Sequence, residues 1–157
     1  MRTFSTSSAW TVPPPDNRRS FTGSCHCGAL GFSFATALPV VEWSIRACQC
    51  RFCRTHGALT TSDPAGRLRF HLHNPESLQR YRFGLKTADF LLCTHCGVYV
   101  GAQIATARGA FGIINALAIV PALRHLPIAV PADYSSESLS NRVDRREQRW
   151  TPLEQVL

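Results

Sequence analysis

A chain of 157 residues, 45% hydrophobic and 17% charged, is long enough to bury one core without disulfides and is not the composition of a disordered or fibrous protein. No stretch is apolar enough to span a membrane, because the most apolar run, Phe111 to Leu123, is interrupted by Gly112, Asn115 and Pro121. The net charge is +7, and of 17 basic residues only Lys86 is a lysine; the rest are arginines, whose planar fork reads carboxylate and phosphate.

In chain order, residues 1–20 are predicted to form a flexible arm, rich in Ser and Thr with Pro13-Pro14-Pro15 followed by Arg18 and Arg19. Met1 to Ser8 is polar and lacks the apolar core of a secretory signal, so a reducing, cytoplasmic setting is expected. One folded domain is expected over 21–132, with 133–157 packed on it. From Ala29 to about Leu117 it reads as short strands. Ala29–Ala35 and Val40–Ala47 flank a turn at Leu38-Pro39. Leu68, Phe70 and Leu72 alternate with Arg69, His71 and His73. Tyr81 and Phe83 alternate with Arg80 and Arg82. Phe90–Leu92 and Val98–Ile104 follow. Turn signals at Asp63-Pro64-Ala65-Gly66, Asn74-Pro75 and Gly84 separate these segments. The fold class is therefore mainly β, a sandwich or barrel-like arrangement. One helix is predicted, over 136–150, capped by Ser135 or Ser136, with Leu139, Val143 and Trp150 on its apolar face and Thr151-Pro152 ending it.

All seven cysteines fall in three clusters: Cys25 and Cys27; Cys48, Cys50 and Cys53; Cys93 and Cys96. Buried apolar cysteines would scatter with the core periodicity. Close-spaced thiols in a reducing compartment indicate metal ligation, and all-sulfur donors select zinc or, less often, an iron–sulfur centre. In extended chain, residues i and i+2 point the same way, so both sulfurs of Cys-x-Cys can face one ion. A closed zinc site takes four protein ligands and a catalytic one keeps three, so seven divides as four plus three. The adjacent Cys48, Cys50 and Cys53 form one set, which leaves Cys25, Cys27, Cys93 and Cys96 for the other. Spacing also permits the early pair to join Cys50 and Cys53, and a histidine to fill the open position. At an open thiolate-rich zinc a substrate thiol is a natural ligand, and Arg51 and Arg54 are the nearest residues for the carboxylates of an acidic thiol such as glutathione.

Gly23-Ser24-Cys25-His26-Cys27-Gly28, Cys48-Gln49-Cys50-Arg51-Phe52-Cys53-Arg54 with Gly57-Ala58, and Phe90-Leu91-Leu92-Cys93-Thr94-His95-Cys96-Gly97 resemble, in order and separation, the motifs of the glutathione-dependent formaldehyde-activating enzyme (GFA) family, whose domain is shared with a vertebrate centromere protein. The tail from Asp133-Tyr134 to Arg149-Trp150-Thr151-Pro152 is similar to that of bacterial members. The resemblance implies a mostly β, Mss4-like fold, a structural zinc on Cys25, Cys27, Cys93 and Cys96, and a second zinc on Cys48, Cys50 and Cys53. It implies a carbon–sulfur lyase-type activity that joins formaldehyde to glutathione. Gln49 stands where the family often has His, and Ala118 where an Asp is common.

The implied partner is a small thiol or thiol–aldehyde adduct, with a homodimer left open and neither nucleic acid nor membrane expected. The alternative is a non-catalytic, zinc-stapled module that uses a basic surface on protein or nucleic acid. Convergent arginines beside an open site distinguish the first reading, and a basic stripe away from it the second. A third reading leaves the three-thiol site empty or redox-active. His56 is a candidate base beside the open site. His26 and His95 are expected to hydrogen-bond within the cysteine loops, His71 and His73 to lie on the surface, and Trp43 and Phe52 in the core.

Overall fold

The structure, a computed structural model, describes residues 16–157. The expected arm therefore lies mostly outside the described residues, and its last two residues already belong to the first strand.

That strand, β1 (Arg19–Ser24), leads through the first cysteine pair into β2 (Leu30–Thr36). The stretch expected as a strand from Val40 begins instead as a 3-10 turn, Val40–Glu42, set off by Pro39, and only Arg46–Cys48 is strand β3. A one-turn helix, α1 (Arg51–Thr55), precedes β4 (Thr60–Thr61), β5 (Arg67–Leu72) and β6 (Leu78–Tyr81). Then follow β7 (Asp89–Cys93), β8 (Tyr99–Thr106), β9 (Gly109–Asn115) and β10 (Val130–Ala132). The chain ends in helix α2 (Leu139–Arg149) and β11 (Thr151–Pro152).

Strands β1, β2 and β5 form an antiparallel sheet in that order. The larger sheet runs β10-β3-β4-β9-β8-β7-β6, with β11 added beside β9. β10 and β3 pair in parallel, and an isolated parallel bridge joins Leu68 to Leu153. The small sheet supplies one apolar face: Leu30, Phe32 and Phe34 of β2 pack with Leu68 and Phe70 of β5, the alternation that the sequence carries. They meet Leu91, Val100 and Ile114 of the large sheet, with Trp43 and Ile45 in the same core.

The large sheet has a second buried face. Tyr99, Ala102, Ile104 and Ile113 belong to a separate apolar cluster with Cys53, Ala58 and Trp150, and α1 and α2 contribute to it through Phe52 and Val143. A bulge decides which side Tyr99 takes. Leu91 pairs with Gly101 and Leu92 with Tyr99, so Val100 is the extra residue. Strict alternation would put Tyr99 on the side opposite Ala102 and Ile104; the bulge puts all three on one face.

Helix α2 starts later than expected. Ser138 is its cap, its hydroxyl accepting from the Asn141 amide at 3.2 Å. Leu139, expected on the buried face, is 56% exposed, because the helix reaches the core only from Arg142 onward. Trp150 is buried at its end, and Thr151-Pro152 pairs with β9. No helix among the described residues is long and apolar enough to cross a membrane.

Candidate metal centres and the cavity between them and the C-terminal helix

The seven thiols form two groups in space, Cys25/Cys27/Cys93/Cys96 and Cys48/Cys50/Cys53, each with all sulfurs within 4.8 Å of one another. The division into four and three is therefore the one found, and the alternative with Cys50 and Cys53 beside the early pair is not. The groups also lie in different cores: Cys25 and Cys93 are in the cluster between the sheets, and Cys53 is in the cluster on the far face.

The four-thiol group is built from two similar loops. The Cys25 amide donates to Leu30 O at 2.9 Å, and the Cys93 amide donates to Val98 O at 3.0 Å, so each loop closes over five residues. Gly28 and Gly97 turn these loops at φ of 80° and 74°, where a side chain would be strained. The Leu30 amide donates to Cys25 Sγ at 3.3 Å. Cys27 Sγ lies 3.6 Å from Cys25 Sγ and 3.5 Å from Cys93 Sγ. Sulfurs around a tetrahedral zinc at about 2.3 Å stand about 3.8 Å apart, so this donor set fits zinc. His26 and His95 are exposed and belong to neither group.

In the three-thiol group, Cys48 ends β3, held by the Gln49 amide donating to Ala132 O at 2.9 Å. Cys50 caps α1, its sulfur accepting from the Cys53 amide at 3.4 Å. That turn brings Cys53 inward. Its neighbours Arg51 and Arg54 consequently face outward; both are exposed. The hydrogen bond from Cys53 draws the Cys48 thiol down to about 6, and the same bond pushes Cys53 up. A thiolate is thus available at neutral pH, and three sulfur donors fit a metal that keeps one position open.

These three cysteines line a cavity of about 590 Å³. Such a volume is in the range of small-molecule sites, about 300–1,000 Å³. Its wall includes Arg46 of β3 and Arg142, Arg145 and Arg146 of α2. Arg51 and Arg54, the arginines expected beside the substrate, are not among the lining residues, and neither is His56, whose ring packs on Phe52 at 4.4 Å with a tilt of 45°. Phe52 sits in an aromatic group with Phe83, Phe90 and Tyr99, and Trp43 packs on Phe21 and Phe34. Gln49 does line the cavity, its amide nitrogen donating to Ala47 O at 2.8 Å. Ala118 is buried in the core between the sheets, away from the cavity.

The cavity arginines were missed in the sequence because α2 reads first as a packing helix. Arg142, Arg145 and Arg146 nevertheless stand at i, i+3 and i+4, the spacing that gathers side chains on one face. Glu137 pairs with two of them, accepting from Arg145 Nε at 2.5 Å and from Arg142 Nε at 3.3 Å. The bond from Arg145 holds the Glu137 carboxyl below its ordinary range. Arg145 also lies over the Tyr134 ring at 3.7 Å. Burial lowers Arg146 to about 10, which still leaves it cationic at neutral pH. Tyr99 lines the same cavity, and burial pushes its hydroxyl well above the ordinary range, so it remains protonated.

A family model described as glutathione-dependent formaldehyde-activating enzyme matches residues 20–122. Among solved structures, the chain is similar to a crystal structure of a Rhodobacter sphaeroides protein, at 28% identity and a TM-score of 0.47, over 68% of this chain and 97% of that one.

Proposed function

Since the chain belongs to the glutathione-dependent formaldehyde-activating enzyme family, we propose that it is a zinc-dependent enzyme of the carbon–sulfur lyase type, acting on an acidic thiol or its aldehyde adduct. One observation carries this reading: three thiols, with no fourth ligand beside them among the described residues, and four arginines line the same cavity. That convergence is what an enzyme for an anionic thiol requires. A binding module with a basic stripe elsewhere does not need it.

Cys48, Cys50 and Cys53 would hold the second zinc, which supplies a positive centre that favours the thiolate form of a substrate thiol near neutral pH. The rest of the chemistry falls to the chain. The cavity has four arginines against Asp133 and Glu137, so it favours a ligand with net negative charge. Glutathione has that charge, and exposed Asp133 at the wall offers an acceptor for its ammonium group. Phe90, Ile113 and Trp150 give the cavity an apolar side that limits water. In the condensation, the thiol sulfur forms a bond to the aldehyde carbon, the carbonyl π bond opens, and the proton lost from sulfur ends on the oxygen. The Tyr99 hydroxyl in the wall is a hydrogen-bond donor suited to that oxygen and keeps its own proton, while the oxygen takes the one lost from sulfur.

The test is exchange NMR on ¹³C-formaldehyde with glutathione, where the adduct also forms without catalyst. The wild-type protein should accelerate interconversion of free and S-hydroxymethylated glutathione, and Cys50→Ser should return the rate to background. A fully zinc-loaded wild type that leaves the exchange rate at background contradicts the reading.

A further inference from the structure

The four cavity arginines differ in how they are satisfied. Arg142 and Arg145 are tied to Glu137. Arg46 donates through Nη2 to Ser62 Oγ at 2.6 Å. Arg146 has no carboxylate partner among the described residues, although it is only 7% exposed. Its Nη1 donates to Thr87 Oγ1. Its guanidinium lies over the Trp150 ring, 4.9 Å from the centroid. Its Nε is buried without any acceptor.

A buried donor left unpaired is costly, more so when the group is charged, so an orphan of this kind calls for a partner. The geometry defines which partner. With Nη1 committed to Thr87, the uncommitted edge is that of Nε and Nη2. Two parallel N–H groups on that edge match the two oxygens of a carboxylate in a bidentate pair. The Trp150 ring beneath the guanidinium and the bond to Thr87 anchor the fork at two points and limit how far it can swing.

We propose that Arg146 is the specificity-determining residue of the cavity: it takes one carboxylate of the substrate side-on through Nε and Nη2, and thereby selects thiols that carry a carboxylate over neutral thiols. This rests on the reading of the cavity as a thiol site. Arg142 and Arg145 do not fill this role, because Glu137 already occupies them. Arg146 is cationic at neutral pH, where the binding is compared, so the selection is by the geometry of the fork.

The experiment compares binding of glutathione and of glutathione diethyl ester, in which both carboxylates are masked, to the zinc-loaded protein by calorimetry. Wild type should prefer the acid by roughly 10- to 100-fold, the range of a paired, charge-assisted contact. Arg146→Lys keeps the charge and loses the fork, and Arg146→Met keeps only the stem. Each should cut the preference by about tenfold, the share of the lost paired contact, with zinc content and ester affinity unchanged. A merely structural arginine would weaken acid and ester alike. Wild-type protein also gives a readout that needs no variant: the ¹⁵Nε–¹Hε resonance of Arg146 should shift on adding glutathione and stay in place with the diester. A preference retained in both variants, or an unmoved Arg146 resonance at saturating glutathione, overturns the role of Arg146 and leaves the thiol site standing. Wild type that binds neither compound overturns both.

Discussion

Gly101 shows how little room the chain leaves at the bulge that positions Tyr99. A Cβ built there would stand 2.4 Å from Ile113 O and 2.9 Å from the Phe70 ring. The first neighbour is backbone of the adjacent strand and cannot step aside. Gly101→Ala should therefore cost about 3 kcal/mol, the upper end for overpacking, read as a lowered urea midpoint at unchanged slope. The same residue scale separates what the sequence carried about the site from what it did not. The grouping of Cys48, Cys50 and Cys53 was legible because it is local: a strand end, a cap and one helical turn. Arg146 was not, since its place depends on a helix folding back over a sheet face whose strands lie far earlier in the chain, from β3 to β9. Arg51 and Arg54 misled for the opposite reason: nearness in sequence to a ligand, on a helix turned so that Cys53 points in, places them outside.

At the scale of elements, α2 and the segment before it form one wall of the cavity, and Glu137 holds them together through Arg142 and Arg145. The folded-state pKa of Glu137 is depressed, so its contribution is present above the ordinary carboxylate value near 4.5 and is lost as pH falls through the lower folded value. Glu137→Gln should lower stability by up to about 1 kcal/mol at pH 7, a size typical of partly exposed pairs. The difference between the two proteins should shrink as pH falls below about 4.5, through the depressed folded value. Denaturant titrations of both proteins at each pH measure it, and effects of acid on the thiols cancel in the difference. The elements themselves were partly legible. β5 declared itself by Leu68, Phe70 and Leu72 alternating with polar residues, because one face of the small sheet is buried. β8 and β9 did not alternate, because both faces of the large sheet are covered and nearly every position is apolar. The start of α2 was placed too early because Ser135, Ser136 and Ser138 are equivalent in sequence, and only the turn at the Asn141 amide selects Ser138.

The whole molecule is three layers, a small sheet, a large sheet and a helical layer, with one thiol group on each side of the large sheet. The four-thiol group joins the loop after β1 to the loop after β7 and closes the sandwich between the sheets. The three-thiol group lies on the opposite face, in the cavity beneath α2. Loss of a ligand should therefore act differently at the two sites. A structural site contributes its binding energy to folding, whereas an open site on a formed scaffold can lose its metal and leave the fold in place. Zinc content per chain, measured together with the thermal transition for wild type, Cys50→Ser and Cys25→Ser, tests this most directly. The account predicts near two zincs in wild type, near one in Cys50→Ser with the fold retained, and an unfolded or strongly destabilised Cys25→Ser. One zinc in both wild type and Cys50→Ser, or unfolding of Cys50→Ser with loss of both metals, would contradict it.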